Sequence, residues 1–404
     1  MTPRGRPSPS SSGPDLIGKT IPHLPLILVA LATLAALVML AQRPHFHADD
    51  AYIVARYAEN LVTHGQIVWN AGEVPVEGFT GYTLLFLMTV ATWLHLPPIS
   101  ATSVIGIVAW FVGARILYAA RVPLGISPLA AAIATALFLC APEQATHAMS
   151  SLETETFILL TVACAFVATR RAQEKPGMGR VWLLPILAAL CAYTRPEGIV
   201  VGGAFFLAVL VHERSAWRAW TLPTMLGFVT PVGALHLFRR LYFGDFFPNT
   251  YYAKKLAPGQ SSAFLSSFSM HAEKYLLPSI IAAMVVVLLA RSLGQTPARH
   301  SDATRAARRI FAFGTVLGYV AIGLTYARSD LVMNYSERFA FHLFGLSMLL
   351  VMLALGELHR HWRVFPAAPA IRRSAFFLTA AGVYLPFAAA FGQWRNEYNY
   401  RTNY

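Results

Sequence analysis

The sequence predicts an all-α, polytopic membrane protein, and its composition and the lengths of its apolar runs are the observations that predict it. Of the 404 residues, 56% are hydrophobic and only 13% are charged, and the mean hydropathy is +0.51. Soluble domains carry roughly 25% charged residues. Apolar runs of about 20 residues, enough to cross the hydrocarbon core as a helix, recur along the chain.

About eleven runs are long enough, or nearly long enough, to cross a bilayer as helices. They fall at 22–42, 101–120, 126–142, 155–170, 181–194, 197–212, 219–239, 275–292, 309–327, 339–358 and 371–391. A further run, 81–97, has two interpretations: it crosses the membrane, or it lies in the interface as an amphipathic helix.

The distribution of Lys and Arg distinguishes these two topologies. With the basic N-terminus in the cytoplasm and 81–97 in the interface, most basic loops face the cytoplasm and the acidic segments face outward. If 81–97 crossed, every later loop would invert and the basic loops would face out. The positive-inside rule therefore favours interfacial helices in the first outer loop, with the N-terminus inside and the C-terminus outside.

The chain is predicted to form one membrane domain over 21–392, which contains the first outer loop at 43–100. A disordered, Pro/Ser-rich cytoplasmic tail at 1–20 and a short outer tail at 393–404 flank it. The first apolar run has no small-residue cleavage site, so we expect an uncleaved span and not a signal peptide.

The net charge of +13 requires no nucleic-acid partner, because cytoplasmic loops of membrane proteins are enriched in Lys and Arg. Cys140, Cys164 and Cys191 lie in or at the end of apolar runs, without CxxC or Cys/His ligand spacing. Neither a zinc site nor a disulfide scaffold is expected.

Acidic and basic residues collect on the predicted outward face. Asp49 and Asp50 follow the first span, and Glu153, Arg195 and Arg338 follow later spans. Ionisable groups at membrane depth are costly and usually have partners or a function. Adjacent carboxylates that share a site disfavour each other's charged form, so one of them is suited to act as a general base at neutral pH.

Each of these features alone also has a structural explanation. An Asp-Asp pair at a helix exit is often a solvated cap, and Arg195 between two spans is compatible with a snorkelling side chain. His45 and His47 have no third ligand nearby in sequence, so no metal site is predicted. The coincidence of the charged groups on one face favours a functional site.

Several ordered motifs resemble the C-type (GT-C) superfamily of integral-membrane glycosyltransferases. The similarity is to the branch of the mycobacterial terminal arabinofuranosyltransferase and the type IV pilin arabinofuranosyltransferase. It rests on "DDAY" (49–52), "RYAENL" (56–61), "NAGE" (70–73), "VEGFT" (76–80), "SLET" (151–154), "TRPEG" (194–198) and "YFGDFFPNTYYAK" (242–254), and more weakly on "ERF" (337–339).

The resemblance implies a polyprenyl-phosphate-sugar-dependent pentosyl- or hexosyltransferase. The implied donor sugar is arabinofuranose, and the implied acceptor is an envelope polysaccharide or pilin. The resemblance also implies a multi-pass protein of the cytoplasmic (inner) membrane, with its active site on the periplasmic side. The chain has neither a GxGxxG nor a Walker lysine motif, which agrees with a lipid-linked donor.

Roles for individual residues follow from this resemblance. We expect Asp49 or Asp50 to be the catalytic base, with Asp49 slightly favoured, and Arg195, Arg338 and Lys254 to bind the donor phosphate. The candidates for contact with the sugar or the acceptor are Glu77, Glu153, Tyr251, Tyr252, Trp69 and His47.

No cofactor is required by these motifs, although outer-loop carboxylates are able to hold a divalent cation through waters. The alternative function is a transporter or flippase of lipid-linked sugars, and a non-catalytic envelope scaffold is a third. Transporters commonly show inverted repeats and ionisable groups near the midplane, whereas this sequence shows no repeat and places its charges at one face.

Overall fold

The structure is a computed structural model, and it describes residues 23–42, 47–173, 181–254, 262, 264–292, 294, 297–327, 329–330 and 337–363. Helices build these parts of the chain, which confirms the all-α prediction. The predicted last span, 371–391, and both terminal tails lie outside the described residues, as does the whole segment 331–336.

The helices follow one another with short connections. In chain order they are α1 Leu24–Ala41, α2 Asp49–His64, α3 Tyr82–Trp93, α4 Pro98–Ala119, α5 Arg121–Leu124, α6 Pro128–Cys140, α7 Pro142–Met149, α8 Thr154–Arg171, α9 Leu183–Thr194, α10 Gly198–His212, α11 Trp217–Thr224, α12 Thr230–Tyr242, α13 Asn249–Ala253, α14 Phe264–His271, α15 Leu277–Ser292, α16 Asp302–Tyr326, α17 Arg338–Phe341 and α18 Phe344–Trp362. Single π-turns join α11 to α12 and α14 to α15.

In the part of the chain that the structure describes, five helices are long and apolar enough to cross a membrane, or six if the bent pair α6–α7 counts as one span. The five are Leu24–Ala41, Pro98–Leu124, Arg214–Tyr242, Phe264–Ser292 and Asp302–Tyr326. The protein is therefore a multi-pass membrane protein. The count of about eleven stays a prediction, since it includes shorter helices such as α9 and α10.

Proline and glycine explain several helix boundaries. Pro98, Pro128 and Pro142 stand at helix starts, where the missing N–H costs nothing. Pro142 also disfavours helical geometry at the residue before it, and the chain bends by 54° between α6 and α7. Gly65 ends α2 with φ +69°, a left-handed conformation that glycine adopts without strain.

Helix α18 lies at the centre of the bundle and packs against α6, α8 and α15. Leu346, Met348, Val351 and Leu355 on different sides of this helix are all buried. Around it, α1 packs on α6, α4 on α8, and α10 on α9 and α16. A Cβ on Gly202 would stand only 2.8 Å from the Cα of Ala188, so glycine permits the close approach of α9 and α10.

The first outer loop folds as a helical hairpin. The apolar side of α2, including Val54 and Ala58, packs on Leu84 and Met88 of α3. With 12 residues, α3 is about 18 Å long, shorter than the roughly 30 Å hydrocarbon core. Because α9 has the same length and is a predicted span, helix length alone does not distinguish the two topologies, and the interfacial placement of 81–97 stays a prediction.

Candidate functional site

An ion pair joins the start of α2 to α17. Nη1 of Arg338 donates to Oδ2 of Asp50 at 2.9 Å, and the arginine side chain is 7% exposed while that of Asp50 is 35% exposed. Glu337, directly before Arg338, has φ +55°, a backbone conformation that is uncommon for a residue other than glycine. The structure thus brings together two predicted site residues from opposite ends of the chain.

Asp49 differs from its neighbour in environment. It is exposed, and its Oδ1 accepts a hydrogen bond from the backbone N–H of Asp50 at 2.9 Å. Successive residues of a helix point about 100° apart, so Asp49 and Asp50 face different directions. Among the described residues, Asp49 has no ion-pair partner.

Arg195, at the turn between α9 and α10, forms ion pairs with two carboxylates. Its Nε donates to Oε1 of Glu197 at 2.5 Å, its Nη1 binds Glu153, and its Nη2 donates to the Tyr326 hydroxyl at 3.3 Å. His342 Nδ1 lies 3.3 Å from Glu197. These charged side chains are nearly inaccessible to solvent.

The electrostatics of this cluster keep Arg195 and Glu197 charged. Burial raises the pKa of Glu197, but Arg195 and His342 outweigh it and hold that pKa well below its usual range. Burial lowers the pKa of Arg195, and Glu197, Tyr326 and Glu153 more than compensate. Arg195 is therefore a permanent cation whose hydrogen bonds are largely taken by protein carboxylates.

Lys254 lies at the end of α13, among the other charged groups. Its Nζ is 5.2 Å from the centre of the Phe339 ring, and its carbonyl accepts from the N–H of Asp330 at 2.7 Å. Burial lowers the pKa of Lys254, as do Arg338 and Arg195, while Asp50 and Glu153 act in the opposite direction. Five charged side chains from distant segments thus interact at one place.

Glu77 is buried in a different ion pair. Nε of Arg239 donates to its Oε1 at 2.9 Å, and each side chain is 2% exposed. Burial raises the pKa of Glu77, and this effect exceeds the opposing effect of Arg239. The Glu77 carbonyl accepts from Asn249 N–H at 3.1 Å. Glu77 therefore ties the first outer loop to α12 and α13, and the described structure does not present its carboxylate to a ligand.

The remaining predicted contact residues are exposed or half-buried. Trp69 is 43% exposed and its ring centre lies 5.7 Å from the Arg56 guanidinium. His47 Nδ1 lies 2.9 Å from the Ser151 hydroxyl. Tyr251 and Tyr252 are 45% and 36% exposed, just before Lys254 along the chain.

Sequence reasoning missed four residues of these clusters: Glu197, Arg239, Tyr326 and His342. Glu197 belongs to the "TRPEG" motif, and Arg239 stands at the outward end of a span, so both had a signal in the sequence. Tyr326 ends a long apolar helix, and His342 lies in an aromatic stretch, where no pattern indicated a polar role.

The described part of the chain contains no group of three or more His, Cys, Asp or Glu placed to hold a metal ion. Its cysteines are all free thiols, and Sγ of Cys164 lies 3.8 Å from Sγ of Cys191 in the core. The site chemistry that these residues offer is therefore that of carboxylates, guanidiniums and an amine.

No family model and no curated protein matches this sequence. Three-dimensional similarity is found to the apo oligosaccharyltransferase of Archaeoglobus fulgidus, with a TM-score of 0.59 and 10% identity over 92% of this chain and 56% of that chain. ArnT from Cupriavidus metallidurans bound to undecaprenyl phosphate has a TM-score of 0.57 and 15% identity, over 90% of this chain and 76% of that chain.

The archaeal oligosaccharyltransferase AglB from A. fulgidus, in complex with an inhibitory peptide and a dolichol-phosphate, has a TM-score of 0.56 and 10% identity, with the same coverage as the apo structure. The chain thus spans just over half the length of the archaeal protein. At these identities the similarity concerns the fold. We conclude that this chain has the GT-C membrane fold of these proteins.

Proposed function

We propose that the protein is a glycosyltransferase that moves a sugar from a polyprenyl-phosphate donor to a hydroxyl of an envelope polysaccharide or pilin. The observation that carries the proposal is the convergence of Asp50, Arg338 and Lys254 at one end of the bundle. The solved relatives of this fold include one with bound undecaprenyl phosphate and one with dolichol-phosphate. The reaction takes place at the outer face of the cytoplasmic membrane.

Arg338 and Lys254 bind the donor phosphate. Guanidinium groups bind phosphate oxygens bidentately, and ammonium groups bind them as point charges. Arg338 is buried and Lys254 is half-buried, and fixed cations in such surroundings stabilise the charge that develops on a leaving phosphate. Arg195 adds further positive charge near Arg338 and Lys254, and its ion pairs with Glu153 and Glu197 fix the position of its guanidinium.

Asp49 is the general base of the proposed reaction. Its neighbour Asp50 is neutralised by Arg338, whereas the Asp49 carboxylate is exposed and able to accept a proton. The acceptor oxygen attacks C1 of the donor sugar as its proton passes to Asp49. The C1–O bond to the phosphate breaks, and the phosphate departs with the electron pair.

Arabinofuranose is the proposed donor sugar, on the basis of the motif resemblance. The exposed rings of Tyr251 and Tyr252, which precede Lys254, and the exposed ring of Trp69 provide aromatic surfaces on which a sugar ring can stack.

The proposal is tested with purified protein in lipid nanodiscs, supplied with polyprenyl-phosphate arabinofuranose and α-1,5-arabinopentaose as a probe acceptor. Mass spectrometry should detect a pentose added to the acceptor by the wild-type protein and by an Asp302→Asn control, whose carboxylate is exposed at the start of α16. Transfer should be lost in Asp49→Ala.

Full activity in Asp49→Ala, Asp50→Ala and the double variant would refute the proposed site. A change in the sidedness of the lipid-linked sugar without a new glycosidic bond would identify a flippase instead.

A further inference from the structure

One face of α2 is a stripe of exposed residues. Asp49, Tyr52, Arg56 and Glu59 are all exposed, and their spacing of three, four and three residues places them on one side of the helix. With a rise of 1.5 Å per residue, the stripe is about 15 Å long. The opposite side of α2 is buried against α3.

A groove of about 420 Å³ runs along the part of this stripe from Tyr52 to Glu59. Tyr52, Ala55, Arg56 and Glu59 of α2 line one wall, and Thr92 and Pro98, where α3 leads into α4, line the other. Small-molecule sites have volumes of roughly 300–1,000 Å³, so the groove is large enough for a ligand of several rings.

The chemistry of the groove suits a neutral, hydroxyl-rich ligand. Tyr52 is 56% exposed, and neither its hydroxyl nor the Glu59 carboxylate has a hydrogen-bond or ion-pair partner among the described residues. Arg56 is held in position, because its Nε donates to the Trp69 carbonyl at 3.1 Å. An aromatic ring, a carboxylate and a guanidinium provide ring stacking, an acceptor and donors.

An anion and a lipid tail fit this groove less well than a neutral, hydroxyl-rich ligand. The charges of Arg56 and Glu59 balance, so the groove does not select an anion such as phosphate. A lipid tail would leave both charged groups without water, at a cost of several kcal/mol as for other charges in hydrocarbon.

We propose that this groove binds the acceptor glycan and delivers one of its hydroxyls to Asp49. The inference rests on the proposed function and adds the acceptor subsite to it. The acid pair at the start of α2 then serves two substrates. Asp50 pairs with Arg338 beside the donor phosphate, and Asp49 lies about one helical turn before Tyr52, which lines the groove.

Two measurements in nanodiscs test the inference with Tyr52→Ala and Glu59→Gln. Thr63→Ala is the matched control, because Thr63 is exposed on the same helix but lies outside the groove. Saturation-transfer NMR reports binding of α-1,5-arabinopentaose, xylopentaose and maltopentaose, and native mass spectrometry reports binding of undecaprenyl phosphate.

Arabinopentaose should give saturation transfer with the wild-type protein and with Thr63→Ala, and the signal should be lost in Tyr52→Ala. In the transfer assay, Tyr52→Ala and Glu59→Gln should each raise the acceptor KM about tenfold, equivalent to ~1.4 kcal/mol. Binding of undecaprenyl phosphate should not change.

Equal pentaose binding by wild-type and variant proteins, or no binding of any pentaose to the wild-type protein, would overturn the inference. Weaker undecaprenyl phosphate binding in the variants would overturn it too, because the groove would then hold the donor lipid. Loss of the proposed function has a different signature: no sugar transfer by the wild-type protein whatever the pentaose result.

Discussion

Arg338 donates a 2.9 Å hydrogen bond to Asp50 across 288 positions of sequence. This contact links the first outer loop to the central helix at the proposed donor site. Asp50 belongs to α2 of that loop, and Arg338 belongs to α17, which leads directly into α18. It also separates the roles of two adjacent carboxylates, because Asp50 is paired whereas Asp49 has no ion-pair partner among the residues that the structure describes.

Replacement of Arg338 should impair use of the donor. Arg338→Ala removes a buried cation beside the proposed phosphate and should lower kcat/KM for the donor by about 100-fold, as for other lost electrostatic contacts to developing charge. Arg338→Lys should recover only part of the loss, because an ammonium cannot bind bidentately. Arg305→Ala, at the exposed start of α16, is the control. Unchanged donor kinetics in Arg338→Ala would remove this residue from the site.

Substitution of Asp49 and of Asp50 should impair different steps of the reaction. Asp49→Asn should lower kcat by about 10²–10⁴, the usual contribution of a general base, and leave undecaprenyl phosphate binding intact. Asp50→Asn should instead weaken undecaprenyl phosphate binding, because Arg338 loses the carboxylate that orients it. Steady-state kinetics with titration of undecaprenyl phosphate separates the two effects. Identical defects in both variants would contradict this division.

Donor affinity should depend on pH through Lys254. Burial, Arg338 and Arg195 lower its pKa from the ordinary value of 10.5, so its positive charge is lost at a lower pH than in an exposed lysine. Undecaprenyl phosphate binding should therefore weaken as the pH rises through this lowered pKa. Lys254→Arg should keep the affinity to higher pH, and Lys254→Met should remove this alkaline dependence. The same alkaline decline in all three proteins would assign it to another group.

The Arg195 cluster should matter for stability. Arg195→Ala leaves Glu153 and Glu197 buried without their cation, and breaking a buried ion pair typically costs about 3–5 kcal/mol. Adding Glu153→Gln and Glu197→Gln to Arg195→Ala should recover part of the lost thermal stability, because the uncompensated charges disappear. Thermal unfolding of the detergent-solubilised proteins measures this. Equal melting temperatures for the wild-type protein and Arg195→Ala would show that the cluster does not stabilise the fold.

Much of the fold could be predicted from consecutive residues. The apolar runs predicted the helices that cross the membrane, and the distribution of Lys and Arg predicted interfacial helices in the first outer loop. Hydropathy and helix capping are properties of short stretches, so they can be recognised without knowing what packs against them. The number of spans depends on more than local hydropathy, because short helices such as α9 and α10 depend on their neighbours for burial.

The ion-pair partner of each charged side chain could not be predicted from consecutive residues. Glu77 and Arg195 looked alike as polar residues of outer motifs, yet Glu77 pairs with Arg239 and Arg195 with Glu153 and Glu197. Tyr326 and His342 gave no sequence signal because their polarity matters only where two helices meet.

The sequence by itself determined that this chain is a multi-pass helical membrane protein and that acidic and basic motifs follow its spans. Only the tertiary structure decided which of those charges meet, which are neutralised and which stay exposed. The physical reason is that hydropathy is summed along the chain, whereas an ion pair forms between side chains that the packing of distant helices brings within about 3 Å.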